Sequence, residues 1–429
     1  MAILWRRVQD GCFPTSCRGL ALWVAAGATC LLFVAHLWSG AAGDAEGVWL
    51  PEAAAAHGAR CLDGSPPLYY ISVGSEPDKW LIHHEGGDWC ERIEETTHLG
   101  ERPNWSCLNR ASTPLGSSKN QASRMDLDEY GDRFTYFSRD PARNPMLHSW
   151  THVLVRYCDG GSYSGDVPEA ESPYVTGWLR SRRLYFRGKA VLQAIMTDLL
   201  EKRGLDAASS IVLGGASAGG VGILMQADEW QDRIRATATA QRRKPPKLAV
   251  MVDAGIFPDH QDASSPACRY EERLRRVMAL HRPTSQALRR CQTANADDPG
   301  RCMFGVHLLP HVEAPVFAFS SVFDGWMLQH VICNTERPSI QAFGGALRQS
   351  ILSVVDGTHH GAYLEDCRHH TKCWSDIAVN HTTPAEAFQQ WYGALGDQSP
   401  GRVWAMTGKY GTRKCNKFFH KRSCPVTKF

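Results

Sequence analysis

The five residues Gly215-Ala216-Ser217-Ala218-Gly219 have the spacing Gly-x-Ser-x-Gly. They follow the short apolar run 211–213 and precede residues 221–238, which have a helical pattern. A serine at a tight turn between a strand and a helix presents its hydroxyl as a nucleophile, and flanking glycines let the backbone crowd the turn. The pattern therefore predicts covalent chemistry through Ser217. A glycine-rich structural turn or a phosphate loop is the alternative, although no Gly-Lys-Ser/Thr follows to favour a nucleotide.

A serine nucleophile needs a histidine base and a carboxylate that orients the histidine, and in the order Ser, Asp, His both lie downstream. Asp324 follows the apolar run 315–319, and Asp253 follows the apolar run 248–252. Either carboxylate can point into a site at the carboxyl ends of parallel strands. The spacing does not choose between them, nor among the four candidate histidines, which are His359, His360, His369 and His370.

Acyl transfer also needs hydrogen-bond donors for an oxyanion. The segment Glu85-Gly86-Gly87-Asp88 follows a predicted strand at 79–83, and a Gly-Gly turn there can supply backbone amides beside the amide of Ala218. A tight structural loop is the competing interpretation of the same glycines.

A metal site is a further alternative, because side chains that bind metals are dense near the C-terminal part of the chain. Their spacing matches no standard zinc signature, and cysteines in an oxidising compartment prefer disulfides. We therefore predict neither a metal nor a cofactor. The residues concerned are His359, His360, Asp366, Cys367, His369, His370 and Cys373.

Strands that alternate with helices must position these residues. Strands are predicted at 68–73, 79–83, 152–157, 211–213, 248–252 and 316–322, and an amphipathic helix at 188–204 is stopped by Gly204. This order predicts an α/β-hydrolase-like fold, with a mostly parallel central sheet, flanking helices and long disulfide-bonded loop insertions. A chain of 429 residues is long enough for one such catalytic domain.

The N-terminal 43 residues are predicted to be a cytoplasmic tail with a signal peptide or signal anchor. Arg6, Arg7 and Arg18 precede the uncharged apolar stretch 20–38, which is just long enough to span a membrane. Residues 44–60 are interpreted as a linker, and residues 61–429 as the hydrolase domain. The chain is expected in the secretory pathway, lumenal or extracellular, either secreted or held on the membrane as a type II protein.

The cysteines and the glycosylation sequons agree with a secretory placement. Twelve of the fifteen cysteines lie at or after Cys61 and could form up to six disulfides. Sequons at Asn104 and Asn380 are compatible with glycosylation.

The charge of the chain argues against a nucleic-acid partner. The net charge of +3 is small and the basic clusters are short, so nucleic acid is not an expected partner.

Several segments together resemble the pectin acetylesterase and Notum family of carboxylesterases, from about residue 61 to the C-terminus, with the closer likeness to the pectin acetylesterase branch. Their order along the chain carries the resemblance. The segments are 85–90 (EGGDWC), 115–118 (LGSS), 144–145 (NP), 156–160 (RYCDG), 164–166 (SGD), 186–188 (FRG), 217–220 (SAGG), 253–255 (DAG) and 323–326 (FDGW).

The resemblance implies a role for particular residues. It selects Asp324 as the triad acid, although Gly325 stands where the family usually has serine, and it selects His370, three residues after Cys367, as the base. It implies oxyanion donors at the backbone amides of Gly87, Asp88 and Ala218, and disulfide bonding of Cys415 and Cys424. We further expect substrate contacts at Trp89 and Trp326, whose rings suit either a sugar or an apolar acyl group.

Two ester substrates fall within the resemblance: O-acetyl groups on a polysaccharide, which we favour, and a fatty acyl group on a secreted protein. An acetyl group needs only a shallow site beside an aromatic-lined sugar groove, whereas a lipid needs a deep apolar pocket. A catalytically inactive carbohydrate-binding surface protein is the alternative from another class.

Overall fold

The computed structural model describes residues 44–94, 105–131, 135–177, 181–260, 269–333, 336–355, 358–371, 373–375, 377–396 and 402–405. Ten strands of this part of the chain form one sheet in the order β12-β11-β10-β9-β8-β3-β5-β2-β1-β4, and β6 and β7 form a separate hairpin. The strands are β1 Asp44–Trp49, β2 Leu68–Ser72, β3 Glu76–His84, β4 Arg124–Asp126, β5 Trp150–Val155, β6 Tyr174–Thr176, β7 Ser181–Arg183, β8 Ser210–Ala216, β9 Lys247–Asp253, β10 Val316–Ser321, β11 Gly361–Glu365 and β12 Val403–Ala405.

Helices cover the faces of this sheet. The longest, α5, packs directly on β8 and β9 and buries Ile223, Leu224 and Trp230. The helices are α1 Pro51–His57, α2 Cys107–Arg110, α3 Leu127–Gly131, α4 Gly188–Lys202, α5 Ala218–Ala240, α6 Tyr270–His281, α7 Gln286–Ala294, α8 Gly305–Leu308, α9 Gly325–Met327, α10 Arg337–Val355 and α11 Pro384–Ala394.

The central sheet is parallel from β5 through β3, β8, β9, β10 and β11 to β12, and antiparallel only where β1, β2 and β4 join it. The central strands are buried on both faces, which explains their continuous apolar runs in the sequence. The predicted α/β-hydrolase-like fold is confirmed. Gly204, predicted to end the helix at 188–204, lies two residues beyond α4 with φ of 87°.

The interpretation of residues 44–60 as a linker is wrong for the described part of the chain. β1 pairs with β2 and β4, burying Ala45 and Val48, and α1 follows it directly. Alternation in a short strand is a weak signal. The alanines at 53–56 resemble a spacer, although alanine is the best helix former and Pro51 is favourable at a helix start. The fold thus includes residues from Asp44 onward.

Disulfides reinforce the loops that extend from the sheet. The bonds Cys61–Cys158, Cys90–Cys107 and Cys291–Cys302 are present, and Cys333, Cys367 and Cys373 are also disulfide-bonded. Such usage places the protein in an oxidising compartment of the secretory pathway. Asn380, in one predicted sequon, is exposed.

Several predictions concern residues outside the described ranges: the apolar stretch 20–38, the sequon at Asn104, and the bonding of Cys415 and Cys424. Within the described residues, none of the helices combines the length and apolarity that crossing a bilayer requires.

Candidate active site

Ser217 lies in a strained turn between β8 and α5. Its φ of 55° and ψ of −123° are unusual for a residue with a side chain, and such strain persists only where the surroundings hold it. The Ser217 amide donates to the carbonyl of Asp253 at 2.8 Å, which ties the turn to the end of β9. The geometry is that of a nucleophile elbow, which presents the hydroxyl at the carboxyl edge of the sheet.

Two glycines permit this turn because other backbone lies directly against them. A Cβ on Gly219 would lie 2.2 Å from the carbonyl oxygen of His84. A Cβ on Gly86 would lie 2.2 Å from the carbonyl oxygen of Ala216 and 3.0 Å from the Cβ of Ser217. The Gly86-Gly87 turn after β3 is therefore brought against the serine elbow after β8.

Asp324 and His370 come together from neighbouring strands. Asp324 follows β10 and is completely buried, and its Oδ2 accepts a hydrogen bond from Nδ1 of His370 at 2.7 Å. Its Oδ1 accepts the amide of Met327 at 2.9 Å, which fixes the carboxylate at the start of α9. The bond at Nδ1 leaves Nε2 of His370 as the nitrogen that can accept a proton. Asp253, the other candidate acid, contacts the elbow through its backbone carbonyl, whereas the side chain of His370 bonds to Asp324.

His369 has a different environment although it is adjacent to His370. Its Nε2 bonds Oε1 of Glu365 at 2.5 Å and its Nδ1 bonds the carbonyl of Thr371 at 3.1 Å. Both acceptors lack a proton, so both ring nitrogens must donate and the ring is an imidazolium. Burial lowers the pKa of His369, but the charge of Glu365 and the hydrogen bond to it raise that pKa to about 9. A doubly protonated ring has no lone pair with which to act as a base.

The stability of the folded protein is expected to fall as the pH rises from 6.5 through about 9. A raised folded-state pKa means that His369 stabilises the fold fully below its usual pKa of 6.5 and loses this contribution above about 9. At about 1.36 kcal/mol per pKa unit, the difference between 6.5 and about 9 corresponds to a loss of roughly 3 to 4 kcal/mol. Thermal unfolding of the wild type and of His369→Gln across this range measures it, and an equal change in both would contradict the assignment.

The other two candidate histidines lie away from Asp324, and the cysteines of the metal alternative are disulfide-bonded. Nδ1 of His360 accepts the amide of Val316 at 3.1 Å, at the start of β10 and therefore at the opposite end of that strand from Asp324. His359 is exposed and bonds the carbonyl of Glu313. Cys367 and Cys373 are disulfide-bonded, so their sulfurs are not thiolate ligands.

The turn after β3 presents unpaired amides. Within the described residues, the amides of Gly87, Asp88 and Ala218 donate to no protein acceptor. Ala218 is the first residue of α5, where the helix N-terminus adds a positive electrostatic potential. These three amides are suited to bind a developing oxyanion.

Aromatic rings connect the oxyanion turn to the histidine. Nε1 of Trp89 donates to Oγ of Ser162 at 2.7 Å, and that hydroxyl donates to the carbonyl of Ala218 at 2.6 Å. Trp89 contacts Trp326 with ring centroids 6.0 Å apart, and Trp326 stacks on His370 at 6.0 Å. The elbow, the oxyanion turn, Trp326 and His370 thus surround one site.

Among the described residues, the hydroxyl of Ser217 makes no hydrogen bond to His370. The hydrogen bond between a catalytic serine and its base often forms fully only when substrate binds.

Other buried side chains hold this turn in place and were not identified from the sequence. Glu85 pairs with Arg156 at 2.8 Å, and Arg110 donates to the carbonyl of Gly87. Nε of Arg273 and Glu91 are 3.2 Å apart, and another nitrogen of Arg273 reaches Asp88. Arg156 belongs to a segment that carried the family resemblance, whereas Arg110 and Arg273 lie in ordinary helical segments with no motif to mark them.

Comparison with known proteins gives one consistent result. Residues 42–399 match the family model described as pectinacetylesterase. Pectin acetylesterase 5 of Arabidopsis thaliana is 29% identical over 378 residues, covering 80% of this chain and 79% of the relative. Pectin acetylesterase 11 of the same plant is 27% identical over 372 residues, covering 80% and 86%. The palmitoleoyl-protein carboxylesterase NOTUM of Schmidtea mediterranea is 26% identical over 358 residues, covering 78% and 61%.

Among solved structures, the Wnt deacylase Notum from Drosophila is similar with a TM-score of 0.69. The match covers 89% of this chain and 99% of the Notum chain at 23% identity. At this identity the likeness concerns the fold.

Proposed function

Because this chain belongs to the pectin acetylesterase family and is a carboxylic ester hydrolase, we propose that it removes O-acetyl groups from a polysaccharide by a Ser217-His370-Asp324 mechanism. The observation that carries the proposal is the 2.7 Å hydrogen bond from His370 to the buried Asp324, at the same sheet edge as the strained Ser217.

Each residue has a defined part in the proposed reaction. Nε2 of His370 takes the Ser217 proton while the serine oxygen attacks the ester carbonyl, and Asp324 holds the imidazole in the required tautomer. The amides of Gly87, Asp88 and Ala218 bind the oxyanion. As the bond between the acyl carbon and the sugar oxygen breaks, His370 returns the proton to that oxygen, which leaves as a hydroxyl. Water, activated by the same histidine, then hydrolyses the acetyl-serine to acetate and free Ser217.

The aromatic packing beside the triad favours a short acyl group. Trp326 packs on His370 and also contacts Trp89, Phe257 and Tyr270 with ring centroids 6.0, 5.3 and 6.3 Å apart. These rings pack beside the base, and the partly exposed Trp326 offers a face on which a sugar ring can stack. Removal of an acyl group from a lipidated protein is the alternative, since the same rings are apolar.

Acyl-chain preference distinguishes the two substrates. We expect p-nitrophenyl acetate to be hydrolysed with a higher kcat/KM than p-nitrophenyl octanoate, and Trp326→Ala to lower this preference about tenfold by opening a cavity. Trp49→Ala, a partly buried tryptophan at the far end of the sheet, is the matched control and should leave the preference unchanged. A wild-type preference for octanoate would favour protein delipidation.

A non-catalytic carbohydrate-binding protein would behave differently from either esterase. A fluorophosphonate probe should label Ser217 in the wild type and not in Ser217→Ala. Failure of the wild type to label and to hydrolyse either ester would support the binding function.

A further inference from the structure

We infer that Arg110 is a positioning residue for the oxyanion hole and acts through the Gly87-Asp88 peptide. This inference rests on the proposed function, since it assumes that an oxyanion forms beside Ser217. Arg110 ends α2, and its side chain is completely buried. Both of its terminal nitrogens donate to the carbonyl oxygen of Gly87, each at 3.0 Å.

The peptide plane transmits this contact to the site. The carbonyl of Gly87 and the amide of Asp88 belong to one planar trans peptide and point in opposite directions. Holding the carbonyl on Arg110 therefore directs the Asp88 N–H away from Arg110, where among the described residues it meets no acceptor. Asp88 has φ of 61°, a conformation that a residue with a side chain keeps only under restraint.

The next peptide is held in the same way. The hydroxyl of Tyr157 donates to the carbonyl of Asp88 at 2.9 Å, and the amide of Trp89 donates to Oδ1 of Asp88 at 2.8 Å. Two consecutive carbonyls are thus bound by buried side chains, while the amides of Gly87 and Asp88 stay available to a ligand.

Charge gives Arg110 a further effect beyond geometry. A guanidinium is always protonated, and its hydrogen bonds to a carbonyl polarise the peptide and strengthen the N–H as a donor. The positive charge therefore lies one peptide away from the oxygen that becomes negative in the transition state. Such an interaction is stronger in the transition state than with the neutral ester, so its loss should lower kcat and leave KM nearly unchanged.

The surroundings keep Arg110 in this position. The Cys90–Cys107 disulfide joins α2 to the segment that follows the oxyanion turn. A Cβ on Gly160 would lie 2.9 Å from Cδ of Arg110, so the side chain packs directly on that glycine. Asp159 is buried nearby; burial raises its pKa to about 6, and the charge of Arg110 acts in the opposite direction.

The test compares the kinetics of Arg110→Met and Arg110→Lys with those of the wild type on p-nitrophenyl acetate. We expect Arg110→Met to lower kcat by about 30-fold with KM changed less than about twofold. This loss is smaller than the roughly 10²-fold to 10³-fold cost of removing an oxyanion donor, because the Asp88 amide itself is still present. Arg110→Lys keeps the charge and should recover most of that loss. The matched control is Arg187→Met, a partly buried arginine that binds the carbonyls of Gly58 and Val167 away from the site and should keep the wild-type kcat.

Active-site counting separates positioning from folding. With a fluorophosphonate probe, Arg110→Met should label to the wild-type endpoint but more slowly, in proportion to its lower kcat. Should Arg110→Met not fold, Tyr157→Phe tests the same turn and is expected to lower kcat several-fold at unchanged KM. An unchanged kcat in these variants, or a loss equal to the unlabelled fraction, overturns the inference. An inactive wild type would instead overturn the proposed function.

Discussion

Ser217→Ala is expected to lower kcat for acetyl esters by about 10⁴-fold to 10⁶-fold, because the variant has no nucleophile and retains only the oxyanion donors and substrate binding. The strained φ of 55° is as unfavourable for alanine as for serine, so the variant should fold with the wild-type turn. Initial rates with p-nitrophenyl acetate, together with circular dichroism of each protein, measure the two effects separately.

Ser209→Ala is the matched control for this substitution. Ser209 lies just before β8, at the opposite end of the same strand, and its hydroxyl contacts Asp78. Its removal should leave kcat unchanged. Hydrolysis that survives Ser217→Ala at a rate similar to that of the wild type would rule out the mechanism proposed for this chain.

Local patterns in the sequence were sufficient to predict the serine elbow. The strand, the small residues and the helix are contiguous between 210 and 240, so their periodicity and spacing describe one short piece of chain. Asp324 and His370 are separated by 46 positions and meet because β10 and β11 are neighbours in the sheet. That pairing depends on topology, and only the family resemblance selected these two residues from the candidates.

Adjacent histidines show why residue type alone does not define a base. His369 and His370 differ in the carboxylate that each one faces, Glu365 for the first and Asp324 for the second. The backbone turn at 366–371 determines these directions, and no periodic pattern encodes it. Arg110 was missed for a similar reason, since its role depends on a contact with a carbonyl 23 positions away.

Asp324→Asn is expected to lower kcat by about 10⁴-fold while preserving the fold. The amide oxygen of asparagine can still accept the Met327 amide that Oδ1 of Asp324 binds, so the start of α9 is retained. Its NH₂ group would replace Oδ2 and donate to Nδ1 of His370. The ring proton is then forced onto Nε2, and the imidazole cannot accept the proton of Ser217. Kinetics on p-nitrophenyl acetate and the melting temperature of each variant provide the measurement.

Asp253→Asn is the decisive comparison, because Asp253 is the rival acid and lies at the end of the neighbouring strand β9. Its contact with the elbow is made by its carbonyl, which accepts the Ser217 amide at 2.8 Å and which the substitution leaves in place. We therefore expect Asp253→Asn to lower kcat by less than about tenfold, far less than Asp324→Asn, since the hydrogen bond between His370 and Asp324 is kept. The opposite order of effects would assign the acid to Asp253, and the 2.7 Å bond between His370 and Asp324 would then be structural.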